Sequence, residues 1–314
     1  MGEFIDLERK IIVNKSDPFI CPDCHTHLIK SEDEAAHICN KCGAKFIIRD
    51  GIHDLYPKVP FAEVHSINFA QLYQVFGKYP MAEDSEKLRR DATVSMVDRG
   101  RILEIGCATG QMTETLAKRG QVYATDISMS YLKRASNRVP GITLVRLDAH
   151  KLPFDDHFFD YVLMTDVLEH VLVPCRVLEE VHRVLRPEGK FILGVPNILN
   201  LSNILKHLRG YKPYKLLQYA DAHISFYDPA GLFQLLAANG FEVKKYKPIY
   251  PFSIARKIIP QAMVKFLDKL FVRIACYFSR EMLVVAQKSE KNYWETLKTA
   301  ILRRKAPLLQ NKHG

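Results

Sequence analysis

No run of about 18 apolar residues occurs in the 314-residue chain, so it offers nothing from which to build a membrane-spanning helix. The opening Met1-Gly2-Glu3-Phe4 lacks a basic segment followed by an apolar one, and no secretory leader is expected there. Nor is the composition unusual. A hydrophobic share of 47% and a charged share of 25% exclude collagen, coiled coil and wholesale disorder as the overall class. The length is too great for one ordinary domain and short for three. Acid is scarce in one region only. Residues 196–314 hold 20 Lys/Arg against 7 Asp/Glu, which accounts for the whole net charge of +10. Such asymmetry implies an anionic partner for that part, whether nucleic acid, a phosphorylated substrate or a membrane surface.

Seven cysteines are present, and four form two Cys-x-x-Cys pairs, Cys21/Cys24 and Cys39/Cys42. Each pair can grip one metal from a tight turn, and four thiolates suit tetrahedral zinc. Disulfide pairing is the competing use, but nothing in the sequence points to an oxidising compartment. A four-thiolate shell leaves no position for a catalytic water, so the metal is expected to be structural, holding a segment too small for its own core. Cys107, Cys175 and Cys276 are read as core thiols. His25, His27 and His37 are read as surface residues beside a filled metal shell. After the second pair, Phe46 to Ile48 forms a short strand and Asp50-Gly51 its turn. Cys21-Pro22-Asp23-Cys24, the second pair, Phe46 and Gly51-Ile52-His53-Asp54-Leu55 together resemble the small zinc-ribbon activator subunits of methyltransferases. Members of that family also occur fused to the N-terminus of their enzymes.

Residues 61–97 read as a helical linker, with Leu88, Ala92 and Met96 at helical spacing and Gly100 as the terminator. An apolar strand then runs from Arg101 to Ile105 and meets a helix at Gln111, with Gly106 and Gly110 at the junction. Glycines there let the backbone approach a ligand at a helix N-terminus. Two glycines alone are weak evidence, but Gln121–Thr125 supplies a second strand. It ends at Asp126, the offset at which an acid meets a ribose diol in nucleotide-type folds. Alone, Asp126 or Asp148 could equally be a helix N-cap.

The series Glu104-x-Gly106-x-x-x-Gly110, Asp126, Asp148-Ala149, Asp160…Asp166-Val-Leu-Glu169-His170 and Leu178 to Lys190, in that order, resembles the class I S-adenosylmethionine (SAM)-dependent methyltransferases over roughly residues 98–198. The resemblance implies a Rossmann-like α/β fold. Its seven-stranded sheet would have the order 3-2-1-4-5-7-6, with a small N-terminal four-cysteine zinc ribbon attached. It implies that Glu104 orients the loop toward the SAM amino group and that Gly106, Cys107 and Gly110 lie along the methionine part. Asp126 would bind the ribose and Ile127 flank the adenine. Asp148 and Ala149 would contact the adenine edge, and Thr165 close the pocket. The implied organisation is a ribbon at 1–60, a linker at 61–97, a methyltransferase domain at 98–288 with acceptor-side insertions at 199–222 and 249–280, and a basic tail at 289–314.

Methyl transfer needs alignment, plus a base where the acceptor is protonated. His170 and His223 are the candidates. His170 could instead pack under SAM or pair with Glu169, and His223 could be a structural contact within the acceptor cover. The segment from His223-Ile-Ser-Phe226-Tyr227-Asp-Pro229 to Gly240-Phe241 resembles the ubiquinone-type branch of methyltransferases, which act on quinones, lipids and cell-surface glycans. In residues 249–280, Arg256, Lys257, Lys265, Lys269, Arg273 and Arg280 accompany apolar residues at helical spacing. That pattern fits a solvated basic face, an interfacial helix on anionic lipid, or nucleic acid. The favoured acceptor is an anionic small molecule, lipid or lipid-linked saccharide, met in the cytoplasm or peripherally at the inner membrane face. The alternative is ribosomal or transfer RNA. A third reading makes the chain an inactive protein-binding module acting through its ribbon, which the intact SAM motifs oppose.

Overall fold

The computed structural model describes residues 17–58, 83–210, 223–249 and 279–289. The sequence reading of residues 59–82, 211–222, 250–278 and 290–314, including the basic apolar segment and Cys276, lies outside the described residues.

Four short strands come first: β1 (Ile29–Lys30), β2 (Ala36–Ile38), β3 (Lys45–Arg49) and β4 (Ile52–Asp54). Helix α1 (Glu83–Val94) leads to β5 (Gly100–Ile105), α2 (Gln111–Leu116), β6 (Gly120–Asp126), α3 (Met129–Arg138), β7 (Thr143–Arg146) and β8 (Phe159–Thr165). A 3-10 turn at Leu168–His170 precedes α4 (Pro174–Val184), β9 (Leu185–Pro196), α5 (Leu201–Leu208), α6 (Pro229–Ala238), β10 (Phe241–Ile249) and β11 (Glu281–Lys288). Strands alternating with helices in this way build a parallel sheet covered on both faces. Its strands are accordingly near-continuous apolar runs. In β5, Leu103 packs into one face's core and Ile102 into the other's, and both are fully buried.

The sheet has eleven strands, in the order β1-β2-β3-β4-β7-β6-β5-β8-β9-β11-β10. This corrects the expectation of a seven-stranded sheet with a separate ribbon. Within the region from β5 onward the order is the expected one, but four ribbon strands extend it beyond β7. The link is β4, which pairs parallel with β7 through Ile52–Leu144, His53–Val145 and Asp54–Arg146. The exposed edge of β7 would otherwise present unpaired amides and carbonyls. At the other end β11 and β10 run antiparallel.

The ribbon is welded to the sheet by more than strand pairing. Ile20 N–H donates to the Pro153 carbonyl at 3.1 Å and Asp155 N–H to the Pro18 carbonyl at 3.0 Å. Phe19 lies 5.6 Å from Phe154, both buried. Arg146, the last residue of β7, pairs with Asp54 at 3.3 Å and lies 4.3 Å over the Tyr56 ring.

Several local expectations need correction. Of the three apolar residues at helical spacing, Ala92 and Met96 are buried and Leu88 is 45% exposed. Gly100 does not terminate a helix. It opens β5, and α1 has already ended at Val94. Cys175 is exposed, unlike Cys107. His37 is not at the surface. It is buried and hydrogen-bonded to His53, Nε2 to Nδ1, at 2.8 Å. Burial holds both imidazoles down to about 4. The fifth strand of the doubly wound region, β9, starts at Leu185 and so takes up Arg186 to Lys190. A bulge opposite Phe159 and Tyr161 absorbs the extra residues.

Candidate active site

In an open parallel sheet, ligands collect at the carboxyl ends of the strands. Glu104, Asp126 and Thr165 all stand at the ends of β5, β6 and β8, three adjacent strands. The loop after β5 carries the glycines. Gly106 has φ +79°, and a side chain there would run into Val167. Gly110 is also left-handed and caps α2, where a Cβ would crowd Val139 and Ala135. Both positions demand glycine for conformation and for space.

Asp126 ties this loop to β6. It is 9% exposed, and its two carboxylate oxygens accept from Ala108 N–H at 3.0 Å and Ser128 N–H at 2.8 Å. A carboxylate offers about four lone-pair sites, so two backbone donors leave acceptor capacity for hydroxyls of a ligand. Burial raises its pKa, and those donors pull the other way. Glu104 is 4% exposed and accepts from the Thr113 hydroxyl at 2.6 Å. Burial pushes it up to about 7, opposed by Thr113 and assisted by the charge of Asp126. Cys107 is buried, with Gly106 and Cys107 amides both donating to the Thr125 carbonyl at 2.8 Å.

Asp148 is 2% exposed and accepts at one oxygen from both the backbone N–H and Nδ1 of His150, at 3.0 and 2.7 Å. Nε2 of His150 accepts from Val173 N–H at 3.3 Å. These contacts fix the tautomer with the proton on Nδ1. His150 was not foreseen, although its place two residues after Asp148 allows this local contact. Ala149 is half-buried beside them, and Ile127 is 36% exposed at the end of β6. Thr165 is half-buried against Gly194.

The second half of the site follows β8. Asp166 is left-handed, with φ +54°. It is ion-paired to Arg89 of α1, which also lies 3.6 Å from Glu281 of β11. The 3-10 turn then presents Glu169 and His170. The Glu169 carbonyl accepts from Ile224 and Ser225 amides at 2.9 and 3.0 Å, docking the residue 223–225 segment onto the turn. The Tyr227 hydroxyl donates to the Leu168 carbonyl at 3.3 Å. This places the His223 ring 4.7 Å from that of His170 and its Nε2 3.9 Å from Glu169 Oε1. Burial, then His170, holds His223 down to about 4, so its imidazole is neutral at pH 7. Glu169 is 1% exposed, and burial with the nearby Glu281 charge pushes it up to about 8. The two histidines singled out in the sequence thus meet. Arg89 and Glu281 were missed because neither carries a local motif.

At the ribbon end, the four cysteine sulfurs lie within 4.8 Å of one another, with Cys21–Cys42 at 3.7 Å and Cys24–Cys39 at 3.4 Å. A tetrahedral ion with Zn–S bonds of about 2.3 Å sets its sulfurs roughly 3.8 Å apart. The donor set and its spacing fit that ion, and the separations are far from a bonded disulfide.

Comparison with known proteins agrees with this geometry. Residues 103–193 match the family model described as "methyltransferase domain". Over 102 residues the chain is 37% identical to a demethylmenaquinone methyltransferase of Renibacterium salmoninarum, covering 32% of this chain and 43% of that protein. Over 150 residues it is 31% identical to a ubiquinone/menaquinone biosynthesis C-methyltransferase of Paraburkholderia xenovorans, covering 44% and 59%. An uncharacterised protein of Methanocaldococcus jannaschii is 32% identical over 146 residues, covering 46% and 66%. The chain therefore spans less than two thirds of the length of these curated relatives. Among solved structures, a chain from the complex of the Haloferax volcanii Trm112 methyltransferase activator with a methyltransferase superposes with a TM-score of 0.51 at 17% identity. The match covers 71% of this chain and 96% of that one, a likeness of fold.

Proposed function

We propose that this chain, which carries a SAM-dependent methyltransferase domain, transfers the SAM methyl group to a small-molecule acceptor such as a quinone precursor, to a lipid or to a lipid-linked saccharide. The observation that carries the reading is the loop bracket itself. Asp126 accepts the Ala108 amide across the turn between Gly106 and Gly110, beside Glu104 at the ends of adjacent strands. The residues fit SAM. A partly satisfied carboxylate at Asp126 suits a ribose diol, the buried acid Glu104 suits an ammonium group, and Gly106 keeps side-chain bulk out of the loop. The quinone-methylating relatives favour the acceptor class. The basic excess of residues 196–314 favours an anionic one, and for the same reason RNA is the alternative acceptor.

Bound SAM supplies an electrophilic methyl on a sulfonium centre. The chain's own part is to align and to exclude water. Glu104 holds the ammonium end, while Asp126 holds the ribose. Asp148 and Ala149 frame the adenine edge with Ile127, and Thr165 closes the floor. His170 and His223 stand on the acceptor side. The four cysteines hold a structural zinc, which fixes the ribbon against β7. A peripheral position at the inner membrane face accords with a greasy acceptor. Among the described residues, no helix is long and apolar enough to cross a membrane.

Calorimetry tests the site. Wild-type protein should bind SAM, and Asp126→Ala should weaken binding by about 1–3 kcal/mol through lost charge-assisted hydrogen bonds. Unchanged affinity in the variant would remove the site assignment. Labelled-methyl transfer to a panel of demethylated quinols, polyprenyl-linked saccharides and RNA then separates the acceptor classes.

A further inference from the structure

We propose that Glu169, His170 and His223 form a divalent-cation site on the acceptor side of the pocket, separate from the four-cysteine cluster. Their ligand atoms all lie within 4.8 Å of one another. Metal bonds of about 2.0–2.2 Å to nitrogen and oxygen set ligands roughly 3–4.4 Å apart. The 3.9 Å between His223 Nε2 and Glu169 Oε1 is already in that range. The 3-10 turn contributes two ligands. The third comes from 53 residues further along the chain, carried by the segment whose Ile224 and Ser225 amides are pinned to the Glu169 carbonyl. The backbone therefore fixes the approach of all three.

The second observation is Glu169 itself. It is 1% exposed, and neither carboxylate oxygen has a hydrogen-bond partner among the described residues. A buried carboxyl group is normally paired or coordinated. Arg89, the nearby cation, is engaged by Asp166 and lies 3.6 Å from Glu281. Arg89 gives no hydrogen bond to Glu169, whose two buried oxygens a divalent ion, binding with loss of the carboxyl proton, would coordinate.

The donor set identifies the class of ion. Two imidazoles and one carboxylate suit first-row divalent metals such as zinc, iron or cobalt, whereas calcium and magnesium prefer all-oxygen shells. Three protein ligands leave positions open for an exogenous oxygen. On the methyltransferase reading, on which this role rests, that oxygen is an acceptor hydroxyl. Coordination lowers its pKa and its proton passes to water. The resulting oxyanion either takes the methyl group itself or activates the adjacent carbon, which takes the methyl group and then loses its own proton to water, and in both cases S-adenosylhomocysteine leaves.

Cobalt(II) is the probe, titrated into full-length protein whose cysteine cluster has first been filled with zinc. The expected result is one further equivalent of cobalt, with visible ligand-field bands of a nitrogen/oxygen site and no thiolate charge-transfer band. Glu169→Gln and His223→Gln should each lower cobalt affinity at least tenfold. No uptake beyond the zinc, or uptake that neither variant weakens, would overturn the site. Should Glu169→Gln fail to fold, the partly exposed His223 supplies the deciding variant. SAM calorimetry on the same zinc-loaded preparation before cobalt is added separates the two claims. SAM bound with cobalt ignored removes the cation site alone. Cobalt bound with SAM ignored supports the cation site and removes the methyltransferase reading.

Discussion

In the proposed SAM site, Glu104 is the residue at which charge state and ligand would meet most directly. Its carboxyl is buried under the glycine loop, and its pKa of about 7 stands well above the ordinary 4.5. The folded chain therefore holds a proton that the unfolded chain has lost between those two values. By linkage, this group's contribution to stability falls as pH rises through that window. Glu104→Gln has no such proton to lose, so it should flatten that part of the profile in denaturant titrations at pH 5 and pH 7.5. SAM affinity should move in the opposite sense. The carboxylate that meets an ammonium group becomes dominant above pH 7, so wild-type binding should tighten from pH 6 to pH 8. Loss of that trend in wild type would remove Glu104 from the ammonium contact. That Glu104, Gly106, Gly110 and Asp126 gather around one loop was legible because they belong to one strand-loop-helix-strand unit. Burial decided what could not be read. The sequence gives no sign that His37 is enclosed with His53, or that Cys175 is exposed.

Among the elements, the pairing of β4 with β7 has the widest consequences. Arg146 ends β7, and it grips Asp54 and Tyr56 on the ribbon side while its Nε donates to the Ile127 carbonyl at 3.1 Å. Ile127 adjoins Asp126, so the N-terminal strands are joined to the loop proposed to hold SAM through one guanidinium. Arg146→Ala should cost about 1–2 kcal/mol, from a partly buried ion pair and a cation–π contact. It should also weaken SAM binding although Arg146 itself is assigned no ligand contact. A variant with lowered melting temperature and unchanged SAM affinity would show that the link is structural only. Cys21→Ser should lower zinc content and loosen residues 19–57. Full metal occupancy in that variant, measured by mass spectrometry, would refute the four-thiolate site. The short β1, β2 and β4 were not visible in the sequence, whereas strands such as Phe46 to Ile48, Arg101 to Ile105 and Gln121 to Thr125 were visible in its apolar runs and turn residues. Their merger into one eleven-stranded sheet was not, because edge pairing between Ile52 and Leu144 depends on docking and not on any local pattern.

At the scale of the molecule, charge is unevenly distributed. The basic excess belongs to residues 196–314, most of it on segments outside the described residues. Binding to anionic liposomes and to mixed RNA across a salt series separates the possible partners. Lipid binding that survives moderate salt indicates apolar insertion and a greasy acceptor. RNA binding with a steep salt slope, and none to lipid, would move the acceptor to nucleic acid. Charge reversal at Lys265 and Lys269 should reduce whichever binding is observed. The sequence by itself determined the strand-loop-helix-strand unit that resembles methyltransferases, the paired cysteines and the charge asymmetry, since each is written in residues close together or in composition. Only the tertiary structure decided which distant groups share a buried space. Arg89, Asp166, Glu169, His223 and Glu281 come from α1, the end of β8, the turn after it, the segment before α6 and β11. The charged members of this set act on one another because the fold removes much of the water that would otherwise screen them.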